Sequence, residues 1–265
     1  MSQIENGLST WLSSAKDPGK TELDRAGPRS ESGHAAANTG SGRMADIAKN
    51  ETSFYSNAEG YWKDVPPTVD GMLGGYGSIS SIDINGSKAF LQKYLGDGEG
   101  KTSAGCALDC GAGIGRITKR LLLPLFKTVD LVDVTQEFLD KAKTYLGEDS
   151  KRVGNFFCCG LQDFVPEIGR YDVIWIQWVI GHLTDNHLVE FLQRCKKALR
   201  PNGLVVIKDN VSYEGVVPDE VDSSVCRDLI IVRQLVQKAG LQIVHEEQQM
   251  NLPKEIYQVH TLAMR

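Results

Sequence analysis

The run Ala107-Leu-Asp-Cys-Gly-Ala-Gly-Ile-Gly115 constrains this chain more than any other stretch. It reads as a buried strand, a sharp turn, and a helix that starts near Ile114. Glycines at 111, 113 and 115 carry no Cβ, so the backbone can bend tightly and a ligand can come close to it. The helix N-terminus behind such a turn offers unpaired N–H groups to a polar or anionic ligand. The spacing is Gly-x-Gly-x-Gly, with Asp109 just ahead of it. In the dinucleotide fingerprint the third glycine falls one residue later. A second carboxylate, Asp133, closes the apolar run Val129-Asp-Leu-Val-Asp133. It lies roughly 20 residues past the loop, where an α/β fold sets an acid against a ribose. Loop and carboxylates together point to a nucleoside-type cofactor.

This unit sits in a regular alternation. The pattern predicts strands at 106–110, 129–134, 155–159, 171–177 and 203–209, and helices at 114–123, 136–146, 185–199 and 223–239. Such alternation implies a parallel sheet with helices on both faces. The segments 241–247 and 256–264 break the rhythm, being two strands with no helix between them. The fold class that follows is α/β: a Rossmann-like, seven-stranded, mostly parallel sheet with one antiparallel strand in a C-terminal hairpin. That ending marks the class I methyltransferase arrangement rather than a dehydrogenase, and makes S-adenosylmethionine the nucleoside cofactor to expect. Ahead of the core, residues 50–100 read as a helical cap, with aromatics at helical spacing from Phe54 to Trp62 and a stop at Pro66-Pro67. Residues 101–265 form the core. Residues 1–49 are rich in Ser, Gly, Ala, Asn and Pro, too poor in apolar groups to order themselves, and read as a disordered extension with Met44 as a second start.

Bulk properties narrow the function. A net charge of −5 argues against binding nucleic acid by bulk electrostatics. No apolar run is long enough to span a membrane. The 6 cysteines lack Cys-x-x-Cys spacing and lie mostly in apolar strands or amphipathic helices, so buried thiols are expected and metal binding is not.

Ligands of doubly wound sheets sit beyond the C-terminal strand ends. Those ends supply Arg116, Asp133, the segment Gly160-Leu-Gln-Asp-Phe164, Gln177-Trp178 with His182 close behind, and Lys208-Asp-Asn210. Arg116 reads equally as a partner for a cofactor carboxylate or as a helix-surface arginine. His182 is either a satisfied structural group or a proton handler, and its convergence with Trp178 and Asn210 favours the second. Asp219, Glu220 and Asp222 form an acidic loop. It is either solvated, with Asp222 capping the next helix, or a pocket for a cationic substrate.

Four segments carry a resemblance to a known family: Val65–Tyr76, Leu108–Lys119, Val173–Asp185 and Ile207–Asn210. Together they resemble the eukaryotic protein N-terminal methyltransferases, and within them the type 1 Xaa-Pro-Lys/Arg branch, from about Thr52 to Arg265. The run Gly-Met-Leu-Gly-Gly-Tyr76 suggests the trimethylating kind. The resemblance implies methylation of the α-amino group of proteins that expose Xaa-Pro-Lys/Arg after initiator Met removal, up to trimethylation, or dimethylation when proline is first. It implies a cofactor site made by Trp62, Gly111, Gly113, Arg116, Asp133, Val134, Thr135, Leu161, Gln162 and Gln177. It implies a peptide channel made by Leu73, Gly74, Trp178, Asp219, Asp222, Ser224 and Tyr257, and a catalytic set of His182, Asn210 and Asp222. Chromatin-associated proteins among the substrates, and residence in nucleus and cytoplasm, are further expectations from the resemblance.

The chemistry suits these residues. Transfer needs a neutral amine, and an α-amino group with a pKa near 7.7–8 loses its proton far more readily than a lysine near 10.4. Modest basic help therefore suffices. Two tryptophans would favour a quaternary ammonium through cation–π attraction. The rival expectations are methylation of a small cationic metabolite, a nicotinamide oxidoreductase, and a non-catalytic adaptor.

Overall fold

The computed structural model describes residues 50–265; the expected disorder of 1–49 concerns residues outside those described. The cap holds α1 (Glu51–Asp64) and α2 (Ser80–Gln92), joined through two short 3-10 turns. Then come β1 (Cys106–Cys110), β2 (Thr128–Asp133), α3 (Gln136–Leu146), β3 (Val153–Cys158), β4 (Tyr171–Gln177), α4 (Asp185–Ala198) and β5 (Leu199–Val211). A small hairpin, β6 (Val216–Asp219) and β7 (Ser224–Arg227), precedes α5 (Leu229–Lys238), β8 (Ile243–Gln248) and β9 (Gln258–Met264).

The main sheet has 7 strands in the order β3-β2-β1-β4-β5-β9-β8. β9 runs antiparallel to both neighbours and the other pairings are parallel, as the helix-free C-terminal hairpin implied. β1 and β4 are buried on both faces, which is why they read as unbroken apolar runs. Period-two alternation splits their side chains between two cores. Leu108, Ile174 and Ile176 pack with Leu188 and Phe191 of α4 and Val232 of α5. Ala107, Val173 and Trp175 face Phe90 and Leu91 of α2 and Leu139 and Ala142 of α3. Of the cysteines, 106, 110 and 195 are buried; 158 is exposed and 159 half-buried because the end of β3 faces solvent, and 226, on β7, is half-buried as well.

Two local expectations are corrected. The helix after the glycine loop begins at Arg116 rather than Ile114 and widens into a π-helical turn at Thr118–Leu122, where Leu123 N donates to Thr118 O. Positive φ at Gly115 delays the start, and Pro124 ends the helix one residue later. The segment expected to be helical from Ser223 forms β7 first. Asp228, not Asp222, caps the helix that follows, its carboxylate accepting from Ile231 N at 2.8 Å. The hairpin wins because Val216 and Val225 bury a shared face beneath Ile231, and Ser223 takes the left-handed turn at φ +55°.

Arg227 fixes this hairpin to the strand-four loop. It is 2% exposed and donates to Asp185 Oδ1 (2.8 Å), Ile180 O (2.9 Å) and Leu183 O (2.6 Å). Arg227→Met strips two carbonyls and a carboxylate of a charged donor. It is expected to lower stability by about 3 kcal/mol, read as a reduced urea midpoint at unchanged slope. An unshifted midpoint would show that the loop holds itself.

Candidate active site

The C-terminal ends of β1, β2 and β4 and the α1 side of the cap enclose a cleft of ≈ 1120 Å³, open to solvent. The glycine loop forms its floor. Gly111 (φ +69°) and Gly113 (φ +54°) are left-handed, and a Cβ on Gly113 would meet Met72 Sδ at 2.4 Å. Asp133 braces the loop: Oδ2 accepts from Gly113 N at 2.7 Å and Oδ1 from Thr135 N at 2.8 Å. Burial raises its pKa to about 6, against the pull of those backbone N–H groups. Asp109 has a different task from Asp133. Its Oδ2 accepts from Thr118 N (3.0 Å) and Thr118 Oγ1 (2.6 Å), which ties the loop to the helix behind it.

Val134, Leu161 and Phe138 give one end of the cleft an apolar lining, with Gln162 and Gly160 beside them. Arg116 and Gln177 lie at the other end. Arg116 is 4% exposed, so the helix-surface reading is excluded. Its guanidinium pairs with Asp83 at 2.8 Å and lies 5.5 Å from the Trp178 ring centre. α1 closes the cleft with Tyr55, Glu59 and Trp62. The helix is held there by Tyr55 OH against His187 Nδ1 (2.7 Å) and by Ser223 Oγ donating to Phe54 O (3.0 Å).

A second cavity, likewise open to solvent, lies at the end of β5, walled by the β6–β7 hairpin. Asn210, Asp219, Asp222, Ser224 and Tyr257 line it, and Trp178 and His182 line both cavities. Trp178 has φ +52°, a conformation that costs a non-glycine residue about 1–3 kcal/mol. Its backbone N donates to Lys208 O (3.0 Å), its indole N–H to Asn210 Oδ1 (3.2 Å), and the next two amides to Asp209 Oδ2 (3.0 and 3.2 Å).

His182 accepts a hydrogen bond from Trp62 Nε1 at 3.0 Å on Nε2, and that nitrogen lies 3.9 Å from Asp222 Oδ2. Burial depresses the imidazole pKa to about 4. Asp222 is 1% exposed; burial, with Asp219 adding to it against the Ser224 hydrogen bonds, raises its pKa to about 7. Of the acidic loop, then, Asp222 is buried, Asp219 half-buried and Glu220 exposed. At neutral pH the His182–Asp222 pair holds a neutral imidazole beside a carboxyl near its midpoint.

Three expected site residues stand outside both cavities. Leu73 is fully buried in a small cluster with Ile79 and Ile256, and backs Trp178 rather than facing a channel. Gly74 serves as the left-handed end (φ +55°) of the 3-10 turn that carries Leu73. Thr135, 1% exposed, sits at the N-cap of α3. Conversely, Tyr55, Glu59, Met72 and Phe138 line the first cavity without having been singled out. The aromatic spacing of α1 was the available signal for Tyr55. Among the described residues no cluster is arranged to hold a metal, and no helix is long and apolar enough to cross a membrane.

Comparison with known proteins follows the same lines. The family described as AdoMet dependent proline di-methyltransferase matches residues 50–265. A Danio rerio protein called N-terminal Xaa-Pro-Lys N-methyltransferase 1 is 78% identical over 219 residues, covering 83% of this chain and 98% of its own. The Homo sapiens protein of that name is 66% identical over 221 residues, covering 83% and 99%. A solved Leishmania major SAM-dependent methyltransferase superposes with a TM-score of 0.76 at 36% identity, over 84% of this chain and 86% of that one. The DhpI–SAH complex, at 16% identity and a TM-score of 0.59, shares the fold over 81% of this chain and 97% of its own.

The raised pKa of Asp222 has a signed consequence. Its contribution to stability is fully present below the unfolded value near 3.9 and is lost as pH rises through about 7. Asp222→Asn is therefore expected to change stability little near pH 4. By pH 8 it gains on the parent by on the order of 3 kcal/mol, measured by urea unfolding across that range. A pH-independent difference would remove the assignment.

Proposed function

This chain belongs to the AdoMet dependent proline di-methyltransferase family, and from that premise we propose that it methylates the α-amino group of proteins beginning Xaa-Pro-Lys, with S-adenosylmethionine as donor. One observation carries the reading: a glycine-loop cleft and an acidic cavity meet at Trp178 and His182. The curated relatives' names favour protein N-termini over a small cationic metabolite.

The first cavity fits the donor by its chemistry. Left-handed Gly111 and Gly113 let the loop turn sharply along the cleft floor, where a Cβ on either would strike Val179 or Met72. Asp133 keeps acceptor capacity for sugar hydroxyls, since each of its oxygens has two acceptor sites. Leu161, Val134 and Phe138 suit an aromatic base, and Arg116 suits a carboxylate. When bound, S-adenosylmethionine supplies an electrophilic methyl on a sulfonium.

The chain's own residues do the rest by positioning and proton handling. An α-amine with a pKa near 8 must give up a proton before it attacks. Asp222 at about 7 is close to that value, whereas His182 at about 4 is a far weaker base. Asp222 takes the proton. His182 instead uses Nε2 to hold the Trp62 indole N–H, and so sets the ring between α1 and the cavity mouth. Asn210 anchors the Trp178 indole through Oδ1, a carbonyl with a second acceptor site for an amine hydrogen. Trp62 and Trp178 together favour a methylated ammonium and retain it for further rounds. Proline at the second position fits a narrow channel because it presents no N–H to satisfy. Asp219, whose charge raises the proton affinity of Asp222, joins with it to attract a lysine or arginine at the third. The reading includes trimethylation of non-proline N-termini. From the family resemblance it extends to chromatin-associated substrates and to residence in nucleus and cytoplasm, testable by imaging the tagged full chain.

A Ser-Pro-Lys peptide incubated with enzyme and donor is expected to gain methyl groups on its N-terminal amine by mass spectrometry, while its N-acetylated twin gains none. Methylation of the twin would redirect the reading to the lysine side chain. Asp219→Asn is expected to raise the peptide KM roughly fivefold to tenfold, with a flatter salt dependence and a smaller change in kcat. Unchanged salt dependence would discard the acidic pocket.

A further inference from the structure

One buried charge cluster is left unused by this mechanism. α2 carries Ser80, Asp83 and Ser87 on one face, with exposures of 4%, 1% and 0%. A polar stripe on a buried helix face must meet partners, and this one meets two cations. Asp83 Oδ2 accepts from Arg116 Nη1 at 2.8 Å. Asp83 Oδ1 is 2.6 Å from Lys208 Nζ and accepts from Gln177 Nε2 at 2.8 Å. The Gln177 amide cannot turn over, because its Oε1 accepts from Trp175 Nε1 at 2.8 Å. One carboxylate thus orients three side chains, and two of them, Arg116 and Gln177, line the first cavity.

We propose that Asp83 is a positioning residue of the cofactor site: it aims Arg116 and Gln177 at the carboxylate of the bound cofactor. The inference rests on the cofactor reading of the first cavity. Two cations against one anion, in a place where all three side chains are at most 5% exposed, is a costly arrangement for a purely structural anchor. Apolar side chains would join α2 to the sheet more stably. With Arg116 and Gln177 both held in place by Asp83, neither has to reorganise when the carboxylate of a ligand arrives beside Arg116. Lys208 has a separate share of the work. It lies at β5, away from the cavity, and also donates to Asp83 O (3.1 Å), Ser87 Oγ (2.9 Å) and Gln249 Oε1 (2.8 Å). It pins α2 to the sheet and to the segment after β8. Asp83 is where that anchor and the ligand-facing arginine share an acceptor.

The test uses two ligands that differ in the carboxylate. S-adenosylhomocysteine carries it; 5′-methylthioadenosine keeps the nucleoside and sulfur but lacks the amino-acid part. Calorimetric titration of the full chain is expected to show that Asp83→Asn raises the Kd of S-adenosylhomocysteine roughly 10- to 100-fold, the scale of a lost hydrogen bond to a charged group. The Kd of 5′-methylthioadenosine should change less than about threefold on the same scale. The double variant Asp83→Asn/Lys208→Met removes the cation stranded by the single change. It should recover thermal stability without recovering S-adenosylhomocysteine affinity, and it carries the comparison if the single variant does not fold. Equal weakening of both ligands, or recovered affinity in the double variant, would overturn the inference while leaving the function intact. Failure of the parent chain to bind S-adenosylhomocysteine would remove the function reading, and this inference with it.

Discussion

Parallel pairing of β1 with β4 is the constraint from which the rest follows. The register runs from Ala107 opposite Val173 to Cys110 opposite Ile176, so both strands end at one edge of the sheet. The chain leaves β1 toward β2 and β4 toward β5, in opposite directions across the sheet, and a crevice opens between the two exits. Everything with chemical character is placed by that divergence. The glycine loop is the exit from β1, and Trp178 with His182 is the exit from β4. The cap then has one place to go, over the opening, where α1 brings Trp62 and α2 brings Asp83.

At the exit from β4 the backbone is bent against its own preference. Trp178 stays left-handed because the surroundings over-determine it: Lys208 O, the Asn210 amide oxygen and the Arg116 guanidinium each hold a different part of it, and the Asp209 carboxylate holds the amides of Val179 and Ile180 just after it. The strain has a geometric return. An extended backbone would carry the indole along the strand, whereas the left-handed turn sets it across the boundary between the two cavities. Arg227 secures the same loop from the other side through Ile180 O and Leu183 O. The junction is thus rigid although it is built from loop residues.

What could be read in advance divides along physical lines. The strands at 106–110 and 171–177, the helix at 136–146 and the antiparallel terminal strand announced themselves through local period and composition. The glycine loop and Asp133 were legible because their meaning is set by a short-range rule, strand then turn then helix. Ser224-Val-Cys-Arg227 misled because a brief alternation ahead of a true amphipathic run looks like that run's first turn. One of the two readings of Asp222 gave it a cap's duty for the same reason, while Asp228, which performs it, lay six residues on. Leu73 could not be told from a channel residue, since an apolar side chain in a glycine-rich loop looks alike whether it faces a ligand or backs a wall. The Asp83 cluster was hidden more deeply. Ser80, Asp83 and Ser87 look like the wet face of a helix, and their partners lie between 33 and 125 residues away in the chain. Only the packed structure shows that this face is the dry one.

The distribution of carboxyl proton affinities orders the site. Asp83, buried yet flanked by Arg116 and Lys208, is held below the usual carboxylate range. Asp109, Asp133 and Asp209, equally buried and stabilised mainly by neutral donors, sit near 6, and Asp222, pushed further by Asp219, near 7. The same residue type therefore performs opposite tasks. Where the fold supplies cations, the carboxylate is a permanent anion that orients them. Where it supplies mainly N–H and O–H groups, the carboxyl remains ready to gain or lose a proton. Asp222 is the extreme of the second kind, and it lies in the cavity where a substrate would bring its own cation. A lysine or arginine arriving beside Asp219 offsets the repulsion that Asp219 adds to the effect of burial on Asp222, lowering its pKa as the substrate settles. The approach of the side chain that identifies the substrate thus adjusts the group that must accept the amine's proton, which couples recognition to chemistry through charge alone.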